Sequence, residues 1–283
     1  MKLCWFDDYR LGLVQGEFVL DVSAALDGMP RDAYPALSGD PLITHLDRLL
    51  PAIAELAGSA ATIPVSEARF LSPVARPTKI IGTPANYVQH VEEAASAAEV
   101  FTTRYSGPIM EQGLFLKAIS SLVGPSQGIS LRFPERLTHH EMELGVVIGK
   151  QGSNIPESEA LEYIAGYTIA LDITVRGPED RSFRKSIDSY AVLGPWLVLA
   201  DEISDPGNLA FSLSVNGEIR QASNTRYMIL DIATQIAWAS RFYTLWPGDT
   251  IMTGTCEGVG RIAPGDVLHC WIEHVGATEV QVR

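Results

Sequence analysis

The chain has 283 residues, of which 46% are hydrophobic and 19% are charged, and its formal net charge is −13. A chain of this length folds as one large domain or as a large domain with a small accessory unit. The acidic excess argues against nucleic acid and anionic membranes as partners, because both repel negative charge. It does not exclude an anionic small substrate, since a bound cation reverses the field around it.

Cysteine usage and the first residues predict a cytoplasmic protein. Cys4, Cys256 and Cys270 are odd in number and lack the spacing of metal fingers, as expected in a reducing compartment. The first ten residues, MKLCWFDDYR, are too charged for a signal peptide. No apolar run approaches the roughly 20 residues that a membrane helix needs. We therefore expect a cytoplasmic enzyme or binding protein.

The first 72 residues are predicted to form a small N-terminal α/β domain. Short β-like segments at residues 3–6, 12–14 and 18–22 precede a segment at 41–56 whose apolar residues have helical spacing. Nothing in this domain suggests chemistry. Two prolines in the stretch 71–79 are typical of a linker, so the main domain is expected over residues 73–283.

A short strand and a helix come next. Ile80, Ile81 and Gly82 predict the strand. Asn86 is a good N-cap for a helix that continues to about residue 100, and Gln89 stands where the second half of a capping box is found. A loop at residues 105–113 then leads into the sequence LFLK.

Residues 114–283 are strand-rich and punctuated by Gly and Pro. One helix interrupts the strands, and Asn224 or Thr225 is predicted to cap it. Its apolar face is expected to comprise Ile229, Ile232, Ile236, Ala237 and Phe242. Regular βα alternation and a GxGxxG sequence are absent, which argues against a doubly wound nucleotide-binding sheet. Many short strands bounded by turns predict an α+β, mostly β fold with a sandwich or barrel-like core.

Three carboxylates in strand-like sequence are the strongest chemical signal. Glu141 and Glu143 share a strand face, because residues i and i+2 do, and Asp172 lies in a second apolar run. Converging carboxylates would form an oxygen-only site suited to Mg²⁺, Mn²⁺ or Ca²⁺ rather than zinc. The alternative is a solvated strand face on which the acids are merely polar. The adjacent His139 and His140 point opposite ways on a strand, so structural roles are favoured over joint binding of one ion.

Other candidate catalytic or binding groups can each be explained by an ordinary structural role as well. His90 and Glu93 lie three apart on the predicted helix, so they form either a water-activating dyad or a surface contact. Lys117 and Lys185 either stabilise an enolate or lie at the surface with extended side chains. The segment TGTCEGVG at residues 253–260 suits a carboxylate ligand, but it is also typical of a glycine turn.

Taken together, seven segments in one order resemble the fumarylacetoacetate hydrolase family. They are NYVQHVEEA, GLFLKAISSLVGP, HHEMELGVVIGK, GYTIALDITVR, RKSIDSYAVLGPWLV, VNGEIRQASNT and LWPGDTIMTGTCEGVG. The resemblance covers roughly residue 79 to the end of the chain, and the first seventy residues are similar to the small variable domain of many members. It implies a mixed β-sandwich roll, a homodimer or a higher oligomer, and a Mg²⁺ or Mn²⁺ site.

The resemblance also implies roles for single residues. The metal ligands would be Glu141, Glu143 and Asp172. The catalytic residues would be His90 and Glu93, which activate water on a lid at residues 86–113, and Lys185, beside the substrate carbonyls. The expected substrate contacts are Thr255, at the substrate carboxylate, together with Arg176, Lys117 and Tyr87.

The sequence departs from the family pattern where a substrate would be chosen. The usual TGTP reads TGTC here, so Cys256 replaces a proline. The segment GPEDRSFR at residues 177–184 is short and lacks the usual Asp-x-Gln. The lid stretch is long compared with the smallest members.

The activity that the resemblance implies is metal-dependent hydrolysis of a C–C bond in a 2,4-dioxo acid such as an acylpyruvate. Oxaloacetate decarboxylation and 2-hydroxy-dienoate isomerisation or hydration are alternatives on the same scaffold. A non-catalytic binder of 2-oxo acids is a minor alternative, because both the acids and the dyad are present.

Overall fold

Strands dominate the fold, which a computed structural model describes over residues 1–30, 39–96 and 108–283. The strands of the described residues are β1 (Lys2–Phe6), β2 (Arg10–Gln15), β3 (Phe18–Asp21), β4 (Thr62–Pro64), β5 (Ile80–Gly82), β6 (Phe115–Lys117), β7 (Leu122–Val123), β8 (Thr138–His140), β9 (Met142–Ile148), β10 (Ile164–Asp172), β11 (Thr174–Val175), β12 (Ala191–Leu199), β13 (Ala210–Val215), β14 (Glu218–Asn224), β15 (Thr250–Met252), β16 (Gly260–Arg261), β17 (Val267–Ile272) and β18 (Gly276–Gln281). The predicted α+β, mostly β fold is confirmed.

The α-helices are fewer and mostly short. They are α1 (Pro41–Thr44), α2 (Leu46–Ala57), α3 (Val88–Ser96), α4 (Ile109–Gln112), α5 (Arg181–Arg184) and α6 (Ile232–Phe242). In the described part of the chain, every helix is too short or too polar to span a lipid bilayer.

One eleven-stranded sheet runs through most of the molecule. Its order is β4-β3-β2-β1-β12-β10-β9-β15-β5-β6, and β7 pairs with β12 beside this path. Two smaller sheets complete the fold, with the orders β11-β8-β16 and β14-β13-β17-β18. The central strands β9, β10 and β12 are buried along almost their whole length, as expected for strands with layers on both faces.

The N-terminal strands extend this sheet, because β1 pairs with β12 in antiparallel fashion. Alternate residues of β1 enter different cores: Leu3 and Trp5 pack with the buried residues of α1 and α2, whereas Cys4 and Phe6 join the larger core. This alternation follows from the two-residue period of a strand. The domain boundary at residue 72 stays a prediction, and the sheet itself crosses it.

The predicted helix at 41–56 is divided into two. Asp40 caps α1 by accepting hydrogen bonds from the amides of Leu42 and Ile43, and the backbone at His45 separates α1 from α2.

The prediction that Asn86 caps the next helix is wrong, because that side chain is used elsewhere. Its amide nitrogen donates to the carbonyls of Leu230 and Thr253, and its oxygen accepts from the Leu230 N–H. The helix α3 begins at Val88 instead. The predicted continuation to residue 100, and the start of the loop at 105–113, lie in residues 97–107, outside the described residues.

The predicted cap of the C-terminal helix is also wrong. Asn224 caps a short 3₁₀ turn by accepting from the Arg226 N–H, and α6 begins one turn later, where Asp231 accepts from the Thr234 N–H. Two residues assigned to its apolar face therefore lie outside the core: Ile229 precedes the helix and is 42% exposed, and Phe242 ends it and is 67% exposed.

Candidate active site

Strand pairing brings together Glu141, Glu143 and Asp172, hereafter the acid triad. Glu141 separates β8 from β9, Glu143 is the second residue of β9, and Asp172 is the last residue of β10. The Asp172 N–H donates to the Glu141 carbonyl at 2.9 Å, so the two strands are in register at this point. One carboxylate oxygen from each residue lies within 4.8 Å of the others. Their side chains are buried, with residue exposures of 5%, 3% and 1%.

Basic side chains balance two of these three carboxylates. Lys185 Nζ donates to Glu141 Oε2 at 2.7 Å and to Asp172 Oδ2 at 2.6 Å. Lys117, which is fully buried, donates to Asp172 Oδ1. Arg176 Nη2 donates to Glu141 Oε1 at 2.7 Å. Charges this deep need such compensation, because the cost of removing one unpaired charge from water is several kcal/mol.

Two carboxylates of the acid triad have pKa values that are shifted in opposite directions. Burial alone raises the pKa of Glu141, but the neighbouring cations of Lys185 and Arg176 hold this pKa well below its usual range. Burial and the nearby charge of Asp172 raise the pKa of Glu143. Like-charged carboxylates at this separation favour a shared cation. The all-oxygen donor set fits a hard divalent ion such as Mg²⁺ or Mn²⁺.

His90 and Glu93 form the contact that their spacing on α3 predicted. His90 Nδ1 lies 2.9 Å from Glu93 Oε2, and the Gly258 N–H donates to Glu93 Oε1 at 3.0 Å. Because an ionised carboxylate only accepts, Nδ1 carries the proton and Nε2 is the basic atom of the ring. Glu93 therefore fixes both the orientation and the tautomer of His90.

One cavity of about 120 Å³ joins the acid triad to His90. Seven of the ten predicted site residues line it: His90, Glu141, Glu143, Asp172, Arg176, Lys185 and Thr255. Glu93 and Lys117 lie directly behind this lining, bonded to His90 and Asp172. The arrangement can hold an ion and an anionic ligand within reach of a base.

Tyr87, like Lys117, is a predicted substrate contact that does not line the cavity. Its ring is buried in the main core and packs edge-on against Phe211, with 6.0 Å between ring centres. Burial raises the pKa of its phenol well above the usual value. A direct substrate contact by Tyr87 is not supported, because its place after β5 directs it into the core.

The hydroxyl of Thr255 already has two partners. It donates to the Met142 carbonyl at 2.7 Å and accepts from Gln221 Nε2 at 2.7 Å. Since a hydroxyl has one proton, a substrate carboxylate would have to replace the bond to Met142. The predicted contact of Thr255 with the carboxylate stays a prediction.

The adjacent histidines face different partners, as expected on a strand. His139 Nδ1 accepts from Arg176 Nε at 3.1 Å, whereas His140 Nδ1 lies 3.1 Å from Gln221 Oε1 and is therefore the protonated nitrogen. Burial lowers the pKa of His139 to about 3 and that of His140 to about 4, so both are neutral near pH 7. They orient Arg176 and Gln221 around the acid triad.

Comparison with known proteins identifies the family. The model of the fumarylacetoacetate (FAA) hydrolase C-terminal region matches residues 79–283. The chain belongs to the fumarylacetoacetate hydrolase family. It is 50% identical to a maleylpyruvate hydrolase of Aquipseudomonas alcaligenes over 100% of this chain and 99% of that protein. It is also 39% identical to a mitochondrial oxaloacetate tautomerase of Rattus norvegicus, over 78% of this chain and 71% of the relative.

A solved structure of this family is similar over the whole chain. Maleylpyruvate hydrolase from Sphingobium sp. SYK-6, in complex with manganese(II) and pyruvate, has a TM-score of 0.84 and 37% identity, and the match covers 100% of this chain and 98% of that one. The predicted class of enzyme, a divalent-metal-dependent C–C bond hydrolase, is confirmed by these relatives.

The cavity lining also contains eight residues that the sequence analysis did not predict, among them Gln112, Phe115, Arg181 and Arg184. The two arginines lie in the segment that departs from the family pattern, so no family motif marks them. Residues at i, i+3 and i+4 share one helical face, so the two arginines lie on the same face as Lys185. A helix of four residues is too short for this spacing to stand out in the sequence.

Proposed function

We propose that the chain is an acylpyruvate hydrolase whose divalent ion would be held by Glu141, Glu143 and Asp172. The observation that carries this proposal is one cavity lined by the acid triad and by His90, which is oriented by Glu93. When bound, the ion supplies a Lewis acid for the oxygens of a 2-oxo acid. The 50% identity to a maleylpyruvate hydrolase supports maleylpyruvate as the first substrate to test.

His90 activates the attacking water in this proposal. Its Nε2 removes a proton from water while Glu93 holds the Nδ1–H and stabilises the imidazolium that forms. The hydroxide adds to the acyl carbonyl carbon, and the bond from this carbon to C3 of the pyruvate unit breaks. The electron pair remains on the pyruvate unit as an enolate, which regains a proton. Water and acylpyruvate thus give a carboxylic acid and pyruvate.

Lys185 and Arg176 place positive charge where the enolate develops. Lys185 is held by Glu141, Asp172 and the Thr174 hydroxyl, so its ammonium is fixed at the wall of the cavity. A fixed cation in a site with little water stabilises developing negative charge more strongly than a mobile cation does.

Tautomerisation of oxaloacetate is the second candidate, since a relative at 39% identity is named an oxaloacetate tautomerase. Tautomerisation moves protons without adding water, so it would not need His90 in the same role. The dienoate isomerases and the decarboxylase use the same kind of 2-oxo acid and remain weaker alternatives. A non-catalytic binder is disfavoured by the presence of both the acid triad and the dyad.

The identity of the ion, the assembly and the location complete the proposal. Mn²⁺ is favoured by the similar manganese-bound structure, and Mg²⁺ suits the same oxygen ligands, with Ca²⁺ a weaker choice. A homodimer is supported by Ile219 and Trp271, two large hydrophobic side chains that are exposed on one face of the four-stranded sheet. A cytoplasmic location is supported by three cysteines that are all buried and free.

A panel assay tests the proposed function. The purified chain is incubated with Mn²⁺ or Mg²⁺ and with maleylpyruvate, acetylpyruvate or oxaloacetate, and pyruvate release and enol–keto interconversion are followed separately. We expect pyruvate from an acylpyruvate. Interconversion of oxaloacetate with no cleavage of either acylpyruvate would replace the hydrolase proposal with the tautomerase.

A further inference from the structure

One helical turn carries three basic side chains to the cavity. Arg181 and Arg184 of α5 and the following Lys185 all line it. Ser182 and Phe183 of the same turn face a separate surface pocket. This distribution of side chains over two faces follows from helical geometry, since residues at i, i+3 and i+4 lie on one face.

The two ends of this basic face have different surroundings. Lys185 is bonded to the acid triad, whereas Arg181 lies one helical turn away, about 5.4 Å along the axis. The Phe115 ring lies beside both cations: its centre is 5.0 Å from Lys185 Nζ and 5.6 Å from the guanidinium carbon of Arg181. A ligand that reaches from the acid triad along this face therefore meets Arg181.

Neighbouring groups hold both guanidiniums in place. Arg181 Nη2 donates to Gln112 Oε1 at 2.7 Å. Arg184, which is buried, donates from Nε to the Glu179 carbonyl at 2.8 Å. A guanidinium fixed in this way is prepared to bind a carboxylate, because less side-chain freedom is lost on binding.

The charge of the cavity favours a ligand with two anionic groups. Among the residues that the structure describes, its lining contains three carboxylates and four cationic side chains, a formal excess of one positive charge. A divalent ion raises this excess to three, and the single carboxylate of a simple acylpyruvate offsets only one. A second carboxylate brings the ligand closer to electrostatic complementarity with its site.

We infer that Arg181, oriented by Gln112, binds a second carboxylate at the acyl end of the substrate. The inference rests on the proposed acylpyruvate activity and specifies it: the preferred substrates are dicarboxylic acylpyruvates. The forked guanidinium matches a carboxylate in two parallel hydrogen bonds. Arg181 belongs to the segment in which this chain departs from the family pattern, as expected of a residue that sets specificity.

The ratio of two specificity constants tests this inference. We compare kcat/KM for maleylpyruvate, which has the second carboxylate, with kcat/KM for acetylpyruvate, which lacks it. In Arg181→Gln this ratio falls about 10- to 100-fold, the loss expected for charge-assisted hydrogen bonds, mainly through KM for maleylpyruvate. Arg181→Lys gives an intermediate ratio, since an ammonium keeps the charge but lacks the fork.

Arg132→Gln is the matched control. Arg132 borders the pocket on the opposite side of α5 and pairs with Asp188 at the surface, so its removal leaves the ratio unchanged. A ratio in Arg181→Gln equal to that of the wild type overturns the inference. An equal loss for both substrates also overturns it, because that result indicates a structural role for Arg181.

The same assay separates this inference from the proposed function. If the wild type cleaves neither compound, the proposed hydrolase activity fails. If it cleaves both with equal efficiency, the hydrolase activity stands and the second-carboxylate site fails. Mn²⁺ affinity of Arg181→Gln, measured by calorimetry, should match the wild type, because Arg181 lies away from the acid triad.

Discussion

The carboxylates of the acid triad differ in what balances their charge. Glu141 and Asp172 are paired with basic side chains, whereas Glu143 accepts a hydrogen bond from the Gly254 N–H at 2.6 Å. Removing Asp172 would leave two buried lysines without this partner, and its cost to folding would obscure an effect on metal binding. Glu143→Gln keeps the size and the accepting oxygen, so it is the cleaner probe of the proposed ion site.

The dyad makes a second prediction at the residue scale. His90→Ala removes the proposed base, so we expect kcat for acylpyruvate cleavage to fall about 10²- to 10⁴-fold while Mn²⁺ affinity is retained. Steady-state kinetics and calorimetry on one preparation measure both. Gln89→Ala, an exposed neighbour on α3, is the control. An unchanged kcat in His90→Ala would remove His90 from the mechanism.

A third prediction concerns pH and the N-terminal strands. Although burial opposes it, hydrogen bonds from Ser23 and the charge of Arg10 lower the pKa of Asp21. A carboxyl with a depressed pKa in the folded state stabilises the fold above its unfolded pKa of about 3.9, and this contribution is lost as the pH falls. Asp21→Asn should therefore lower the free energy of unfolding by about 1 kcal/mol at pH 7, as measured in urea.

The difference between Asp21→Asn and the wild type should shrink as the pH approaches 3. A difference that is constant with pH would show that the ionised carboxylate of Asp21 does not stabilise the N-terminal strands.

At the scale of elements, the sequence predicted the periodicity of helices and strands better than the residues at which the helices begin and end. The apolar spacing of α2 and the parity of Glu141 and Glu143 follow from chain geometry alone. Asparagine commonly caps helices, so Asn86 and Asn224 are reasonable predictions from local sequence. In the fold, Asn86 instead bonds Leu230, which is distant in sequence, and Asn224 caps a 3₁₀ turn. Arg181 was missed for a related reason, since a single turn of helix has too few residues for a periodic signal.

The loop after β15 makes a prediction about backbone conformation. Gly254 has φ +97°, and a Cβ there would lie 2.5 Å from Asn86 Cβ. Gly254→Ala should therefore displace the N–H that bonds Glu143 and weaken Mn²⁺ binding, in addition to a backbone strain of about 1–2 kcal/mol. Gly265→Ala is the matched control, because its φ is +98° and the space around it is open.

Thermal unfolding and Mn²⁺ titration of these two variants measure the two effects. Both should lose stability, and only Gly254→Ala should lose affinity for Mn²⁺. Equal Mn²⁺ affinities would contradict the role of the Gly254 loop at the ion site.

At the scale of the whole molecule, the fold class was predictable and the connection between its parts was not. Short strands and turn signals indicated a mostly β fold. The pairing of β1 with β12 joins residues almost 200 positions apart, and local patterns carry no information about such contacts. The same limit applies to the cavity, where Lys117, Asp172 and Lys185 meet from separate segments.

The central claim is that the acid triad holds a divalent ion on which cleavage depends. Its most direct test is calorimetric titration of Mn²⁺ into the chelator-treated wild type and Glu143→Gln, with acylpyruvate cleavage assayed in the same samples. We predict that the wild type binds one ion per chain and regains activity as it binds, while Glu143→Gln binds at least tenfold more weakly and is slower in proportion. Full cleavage by the metal-free wild type, or equal Mn²⁺ affinity in Glu143→Gln, would contradict the claim.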